Sequence, residues 1–213
     1  MVGSFVAVVV PYLTPARPSS VADTAAALTR AHKQPAAGPA SPVRRQIIEA
    51  VRRGQRAGIV TVGEARKLQT LAVEAWLDLV VDPGPLGWGV VHHDAHVGNV
   101  LVDHTRTARL IDFETTGVAP RICDLAPLVV YTRRYEEPET SLEEFSDVYR
   151  FAASPVELQG PSLAAAVMLY ETWVAAWGIH FAAAVDSAAL PEARLRVESL
   201  LSPRFTDQPW TFL

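Results

Sequence analysis

The chain is poor in lysine and in cysteine. Lys33 and Lys67 stand against seventeen arginines, and Cys123 is the one cysteine. A single cysteine excludes a disulfide framework within the chain and suits a reducing, cytoplasmic setting. Positive charge is not in excess either. The net charge of −4 gives no reason to expect a nucleic-acid partner. No segment demands a membrane. Residues 5–10 are apolar but far too short to span a bilayer, and no basic segment precedes them as a secretory leader requires. Residues 163–185 are long and apolar, yet Glu171 and His180 interrupt them, which suits a buried core helix. No internal repeat is present. With 213 residues, 49% of them apolar, the chain suits one domain or one large lobe.

Chemistry concentrates in residues 92–114. His-His-Asp-Ala-His-Val-Gly-Asn (92–99) is followed by Leu-Ile-Asp-Phe-Glu (110–114). Val90-Val91 leads in as a short apolar run. Residues 100–102 and 110–111 flank the polar stretch His104-Thr105-Arg106-Thr107, which suits a tight reversal. Folding 100–102 against 109–111 brings Asn99 near Asp112, with Asp94 on the loop just before the hairpin. A carboxylate, an amide five residues on and a second carboxylate after a hairpin are what metal-assisted phosphoryl transfer needs. One group orients the attacking hydroxyl, and two hold Mg²⁺ against the phosphates. A zinc site on His92, His93, His96 and His104 is the competing reading. It is disfavoured because adjacent residues of an extended segment point to opposite faces and Cys123 is remote in sequence.

Here the chain resembles a known family. His92-x-Asp94-x-x-x-x-Asn99 is similar to the catalytic loop of the aminoglycoside phosphotransferase and choline kinase group, relatives of the protein kinases. Ile111-Asp112-Phe113-Glu114 resembles their metal-binding segment. Gly117-x-x-Pro120-Arg121-x-x-Asp124-Leu125-Ala126 resembles the continuation, where a helix begins. One departure is His93, where the small-molecule kinases usually carry glycine. The resemblance implies that Asp94 is the catalytic base and that His92 braces its loop. It further implies that Asn99 and Asp112 bind Mg²⁺, assisted by Glu114. The implied reaction is phosphorylation, by ATP or GTP, of a hydroxyl on a small molecule, aminoglycoside-like or other.

The rest of the chain reads as mainly α, with the small β hairpin carrying the site. Ser20-x-x-Asp23 and Thr61-x-x-Glu64 are capping-box starts. Ser41 as N-cap with Pro42 at the first helical position opens another helix. Helices are expected over about 20–32, 42–53, 61–81, 124–134, 141–153, 162–186 and 191–201. On the third, Leu68, Leu71, Ala72, Ala75, Trp76 and Leu79 form an apolar face. Trp173, Trp177 and His180, at helical spacing, read as a core stripe or as the lining of an acceptor pocket, the stripe being the commoner meaning. The acidic run Glu136–Asp147 reads as a solvated face or as a surface that attracts a cationic aminoglycoside or amine, the solvated face being the commoner meaning. Glu171, inside an apolar helix, needs a partner.

By the resemblance, residues 14–213 are the helical C-terminal lobe, with the catalytic core at 88–128. Residues 1–13 are a remnant of the N-terminal lobe: a strand at 6–10 running into a hinge. Backbone near Val10 and Tyr12 would then face adenine, although Pro11 has no N–H to donate. The phosphate-covering loop and the lysine of a full kinase have no counterpart upstream. The chain alone is therefore expected to be a very poor kinase. The alternative is a catalytically silent binding module, which need not bind Mg-ATP. An unpaired edge at 6–10 would invite a second copy or a partner chain carrying the missing lobe.

Overall fold

The computed structural model describes residues 15–151, 159–202 and 208–213. The expected strand at 6–10 and the hinge, with Val10 and Tyr12, lie outside the described residues. Seven helices are described: α1 (Val21–His32), α2 (Val43–Arg56), α3 (Val62–Val81), α4 (Ala126–Arg134), α5 (Thr140–Val148), α6 (Pro161–Ala184) and α7 (Leu190–Leu201). Between α3 and α4 run four short strands: β1 (Trp88–Val91), β2 (Val100–Val102), β3 (Ala108–Leu110) and β4 (Gly117–Pro120). The molecule is mainly α, as expected for a kinase-like lobe.

Local chemistry sets the helix starts. Ser20 and Thr61 cap α1 and α3 with reciprocal capping boxes to Asp23 and Glu64. At α2 the cap falls one residue later than expected. Pro42 is the N-cap, and Ser41 accepts from the Val43 N–H instead. Two expected boundaries move further. The helix expected from 124 begins at Ala126, because Arg121–Leu125 form a 3-10 turn that buries Asp124. The helix expected to run to 153 ends at Val148, where the chain turns extended and Tyr149 is buried.

The hairpin forms as expected, with Val100 opposite Leu110 and Val102 opposite Ala108. A second antiparallel pair was not expected. β1 pairs with β4, Trp88 opposite Pro120 and Val91 opposite Gly117. The two pairs hold the site loop at both ends.

α6 is the central pillar. By length and apolarity it could cross a membrane, but most of it is buried against α2, α3, α4 and α7. Gly54 allows α2 to approach it, since a Cβ there would collide with Ile179. The apolar face of α3 is buried at Leu68, Ala72, Ala75 and Leu79, each large side chain contributing about 1.5–3 kcal/mol. Ion pairs pin the outer helices. Arg194 of α7 reaches Glu64 at 2.9 Å, which holds that carboxyl down near 2 through the guanidinium hydrogen bond. Glu171 has the partner its burial demands. Arg134 lies 2.7 Å away, and both side chains are buried.

Candidate active site

Asp94 sits where β1 ends and the hairpin begins, half-buried at the floor of a cleft of about 360 Å³. Its two carboxylate oxygens are held separately. Tyr170 of α6 donates its hydroxyl to one at 2.7 Å, and the Asn99 amide donates to the other at 2.9 Å. His96 lies 3.7 Å from the latter oxygen. Burial alone would raise the Asp94 pKa. Hydrogen bonding and charge from His96 and the Tyr170 hydroxyl reverse this, so the group sits below its ordinary value and is ionised near neutrality. Tyr170 is pushed the other way, well above its usual value, by burial and by the Asp94 charge. It stays a protonated donor.

Asp112 lines the same cleft as Asp94, together with Glu114. The Ile111 N–H donates to the Asn99 carbonyl at 3.0 Å, which places the metal-binding segment alongside the catalytic loop. The hairpin thus brings together Asp94, Asn99 and Asp112, as its geometry suggested. His92 is buried, and its Nε2 donates to the Ile111 carbonyl at 2.7 Å, tying the loop to the following segment. Among the described residues its buried Nδ1 has no hydrogen-bond partner. Val10 and Tyr12 fall outside the described residues.

Two side chains at the site occupy left-handed backbone: His93 at φ 67° and Asp112 at φ 62°. Such conformations strain residues other than glycine and cluster at functional sites. Glycine would adopt the backbone of position 93 without this strain. Here a full imidazole is buried instead, and among the described residues its Nε2 has no hydrogen-bond partner. Burial depresses its pKa to about 4, so it is neutral at physiological pH.

The loop is fastened by residues to which sequence reasoning gave no role. Asp124 is fully buried and accepts the His92 N–H at 2.9 and 3.0 Å and the His93 N–H at 2.6 Å. His32, at the end of α1, reaches the same carboxylate through Nε2 at 2.8 Å. A carboxylate only accepts, so the His32 proton lies on Nε2 and Nδ1 accepts from the Tyr149 hydroxyl. Despite the burial penalty, the hydrogen bond from His32 holds the Asp124 pKa below its ordinary value. The signal for Asp124 was present in the continuation motif. Those for His32, Tyr149 and Tyr170 lay 76 or more residues from their partners.

The cleft walls come largely from α6 and the chain's last residues. Trp173, Trp177, Tyr131, Tyr135 and Phe212 line it. Trp177 is 37% exposed, so the Trp173–Trp177–His180 stripe lines cavities rather than only filling the core. The acidic run at 136–147 is exposed at all six carboxylates, as a solvated face. Among the described residues, no three His, Cys, Asp or Glu side chains converge as a cation cage, which leaves the zinc reading without support. Mg²⁺ asks for less. It commonly takes one or two protein oxygens and completes its shell with phosphate and water. The hard oxygen donors of Asn99 and Asp112 fit that need.

A helical lobe with this paired-strand loop defines the class as kinase-like. Comparison with known proteins narrows it. A model of the APH phosphotransferase enzyme family matches residues 3–199, and the chain belongs to that family. A choline/ethanolamine kinase family protein from Mesorhizobium loti has a similar fold, with a TM-score of 0.62 at 18% identity. That match covers 92% of this chain and 70% of the other. The choline kinase LicA from Streptococcus pneumoniae superposes with a TM-score of 0.56 at 16% identity, over 88% of this chain and 69% of LicA. LicA in complex with AMP gives 0.56 at 17% identity, over 89% and 68%. At these identities the likeness establishes the fold alone. No curated protein sequence matches.

Proposed function

We propose that the chain transfers the terminal phosphoryl group of ATP or GTP to a hydroxyl of a small molecule. The carrying observation is the Asp94 carboxylate, ionised, fixed by Tyr170 and Asn99, and open to the cleft that Asp112 also lines. Asp94 accepts the acceptor hydroxyl's proton as its oxygen attacks phosphorus. Tyr170 and Asn99 keep the carboxylate aimed and ready. Asn99 and Asp112 would hold Mg²⁺, with Glu114 beside them. The ion would neutralise the developing charge on the transferred group. His92 and Asp124 fix the loop so that little reorganisation accompanies the reaction.

The acceptor enters between aromatic walls. Tyr131, Tyr135, Trp173 and Trp177 offer ring faces that attract a cation. An amino alcohol, as in the choline and ethanolamine named for the structural relatives, or an aminoglycoside suits that lining. AMP in one LicA structure supports an adenine nucleotide as donor.

The test is calorimetric titration of the purified chain with ATP, with and without Mg²⁺, beside Asp112→Ala. Mg²⁺-dependent binding that disappears in the variant is the expected result. Binding that ignores both Mg²⁺ and the substitution overturns the reading. An ADP-release assay across aminoglycosides, choline and ethanolamine then names the acceptor.

A further inference from the structure

The Asp94 cleft is not the end of the acceptor path. A second cavity of about 270 Å³ adjoins it, and Glu114, Trp173 and Trp177 line both. Its far wall is α2, which contributes Gln46, Glu49, Ala50 and Arg53, facing His180 of α6. The lining holds two carboxylates, Glu49 and Glu114, and one guanidinium, Arg53. Glu49 is drawn toward Arg45, 3.8 Å away and one turn back along α2. Gln46 is occupied by the Trp173 indole N–H, which it accepts at 3.1 Å. Glu114 belongs to the metal-binding segment. Arg53 is left over. Among the described residues no carboxylate lies within ion-pair reach of it, and its one hydrogen bond goes to His180 Nδ1 at 3.0 Å.

That hydrogen bond has a consequence for His180. A guanidinium can only donate, so Nδ1 must accept and the ring proton must sit on Nε2. Among the described residues the cavity is therefore lined by a guanidinium with no ion pair and an imidazole whose remaining polar atom is an N–H donor. Both groups ask for an acceptor of negative charge, and the guanidinium fork matches the geometry of a carboxylate or phosphate. Trp173 and Trp177 form the passage between this end and Asp94.

We infer that Arg53 and His180 form an anion subsite, which selects small-molecule acceptors bearing a carboxylate or phosphate at the end remote from the hydroxyl phosphorylated at Asp94. The assignment rests on the acceptor path of the proposed phosphotransferase. The anion binding itself needs neither nucleotide nor metal.

The experiment exploits that independence. Inorganic phosphate and acetate are titrated separately, at low ionic strength, into ¹⁵N-labelled chain while the Trp177 indole and His180 ring resonances are followed. Saturable shifts are expected with at least one anion, and the tighter one identifies the acceptor's anionic group. Arg53→Gln should weaken this binding at least about tenfold, the loss of a charge-assisted contact. Arg53→Lys should restore part of it. Asp112→Ala should leave it intact while removing Mg-ATP binding. Non-saturating drift, or saturation unchanged in Arg53→Gln, overturns the subsite. If Mg-ATP binds normally and neither anion saturates, the subsite fails and the phosphotransferase reading stands. If the anions bind and Mg-ATP does not, the reverse holds.

Discussion

Asp124→Ala tests the view that a buried carboxylate, rather than the loop's own sequence, holds Asp94 in place. The substitution strips the acceptor from the His92 and His93 N–H groups and from His32 Nε2, all buried. A buried donor left unsatisfied costs about 1–3 kcal/mol, and these bonds ran to a charge. Three such donors, relieved in part by relaxation and water entry, amount to about 4 kcal/mol, a large share of a typical domain's stability of about 5–15 kcal/mol. At roughly 2–4 °C per kcal/mol for a chain of this length, the melting temperature should fall by about 8–16 °C. Asp124→Asn keeps an oxygen acceptor and should cost less than half as much. The pH dependence gives a second check. A carboxyl with a lowered folded pKa contributes stability above its unfolded value of about 3.9 and loses it as pH falls through the folded one. The gap between wild type and Asp124→Ala should therefore be full at neutrality and narrow below about pH 4. Denaturant unfolding at several pH values, with amide exchange at residues 92–99, measures both. A loss under about 1 kcal/mol, or a gap that widens in acid, would refute the reasoning.

Tyr170→Phe removes one hydrogen bond that favours ionised Asp94. Its pKa should rise, visible as an upward shift in carboxyl ¹³C titration; an unchanged midpoint would mean that Tyr170 does not tune the base. His93→Gly relieves the left-handed strain and an unpartnered Nε2 but leaves a void, so neutral-pH stability should change by less than about 2 kcal/mol. Its clearer signature is in acid. His93 titrates near 4 when folded against about 6.5 unfolded, so wild type should lose roughly 3 kcal/mol as pH falls through that window, and the glycine variant should not. Parallel stability curves for the two would exclude a buried neutral His93. Glu171→Ala leaves Arg134 buried without its anion and should cost about 3–5 kcal/mol by urea unfolding; a near-neutral result would show that Arg134 re-pairs.

What was legible in the sequence is what is local. The capping boxes at Ser20 and Thr61, the apolar face of α3 and the 100–110 hairpin are each written within a few residues. So is the spacing that brings Asp94 and Asp112 to one cleft, with Asn99 bonded to Asp94. What was not legible is carried by long loops of chain. β1 pairs with β4 across 25 intervening residues or more, and Tyr170 meets Asp94 from 76 residues away. The burial of Asp124 depends on a 3-10 turn whose residues read equally well as the start of a helix. Trp177 carries the same ambiguity. Helical spacing gives a stripe, but only the neighbours of α6 decide whether the stripe faces the core or a cavity.

The two left-handed residues explain why those distant contacts matter. His93 and Asp112 stand at the two ends of the stretch formed by the Asp94–Asn99 loop and the β2–β3 hairpin, in conformations that cost about 1–2 kcal/mol for residues with a Cβ. Left to itself, the chain would relax at both points and swing Asp94 and Asp112 out of the shared cleft. Asp124 opposes this on the first side by gripping the His92 and His93 N–H groups. On the second side His92 grips the Ile111 carbonyl, and the Thr115 hydroxyl donates to the His92 carbonyl. The strain is thus local while its restraint reaches through His32 to α1 and through Asp124 to the turn before α4. A site built this way should lose its geometry through Asp124 or His32 before the helices that carry it unfold. Amide exchange in the His32→Ala variant should show this directly, with residues 92–99 opening while the protection of α6 is retained.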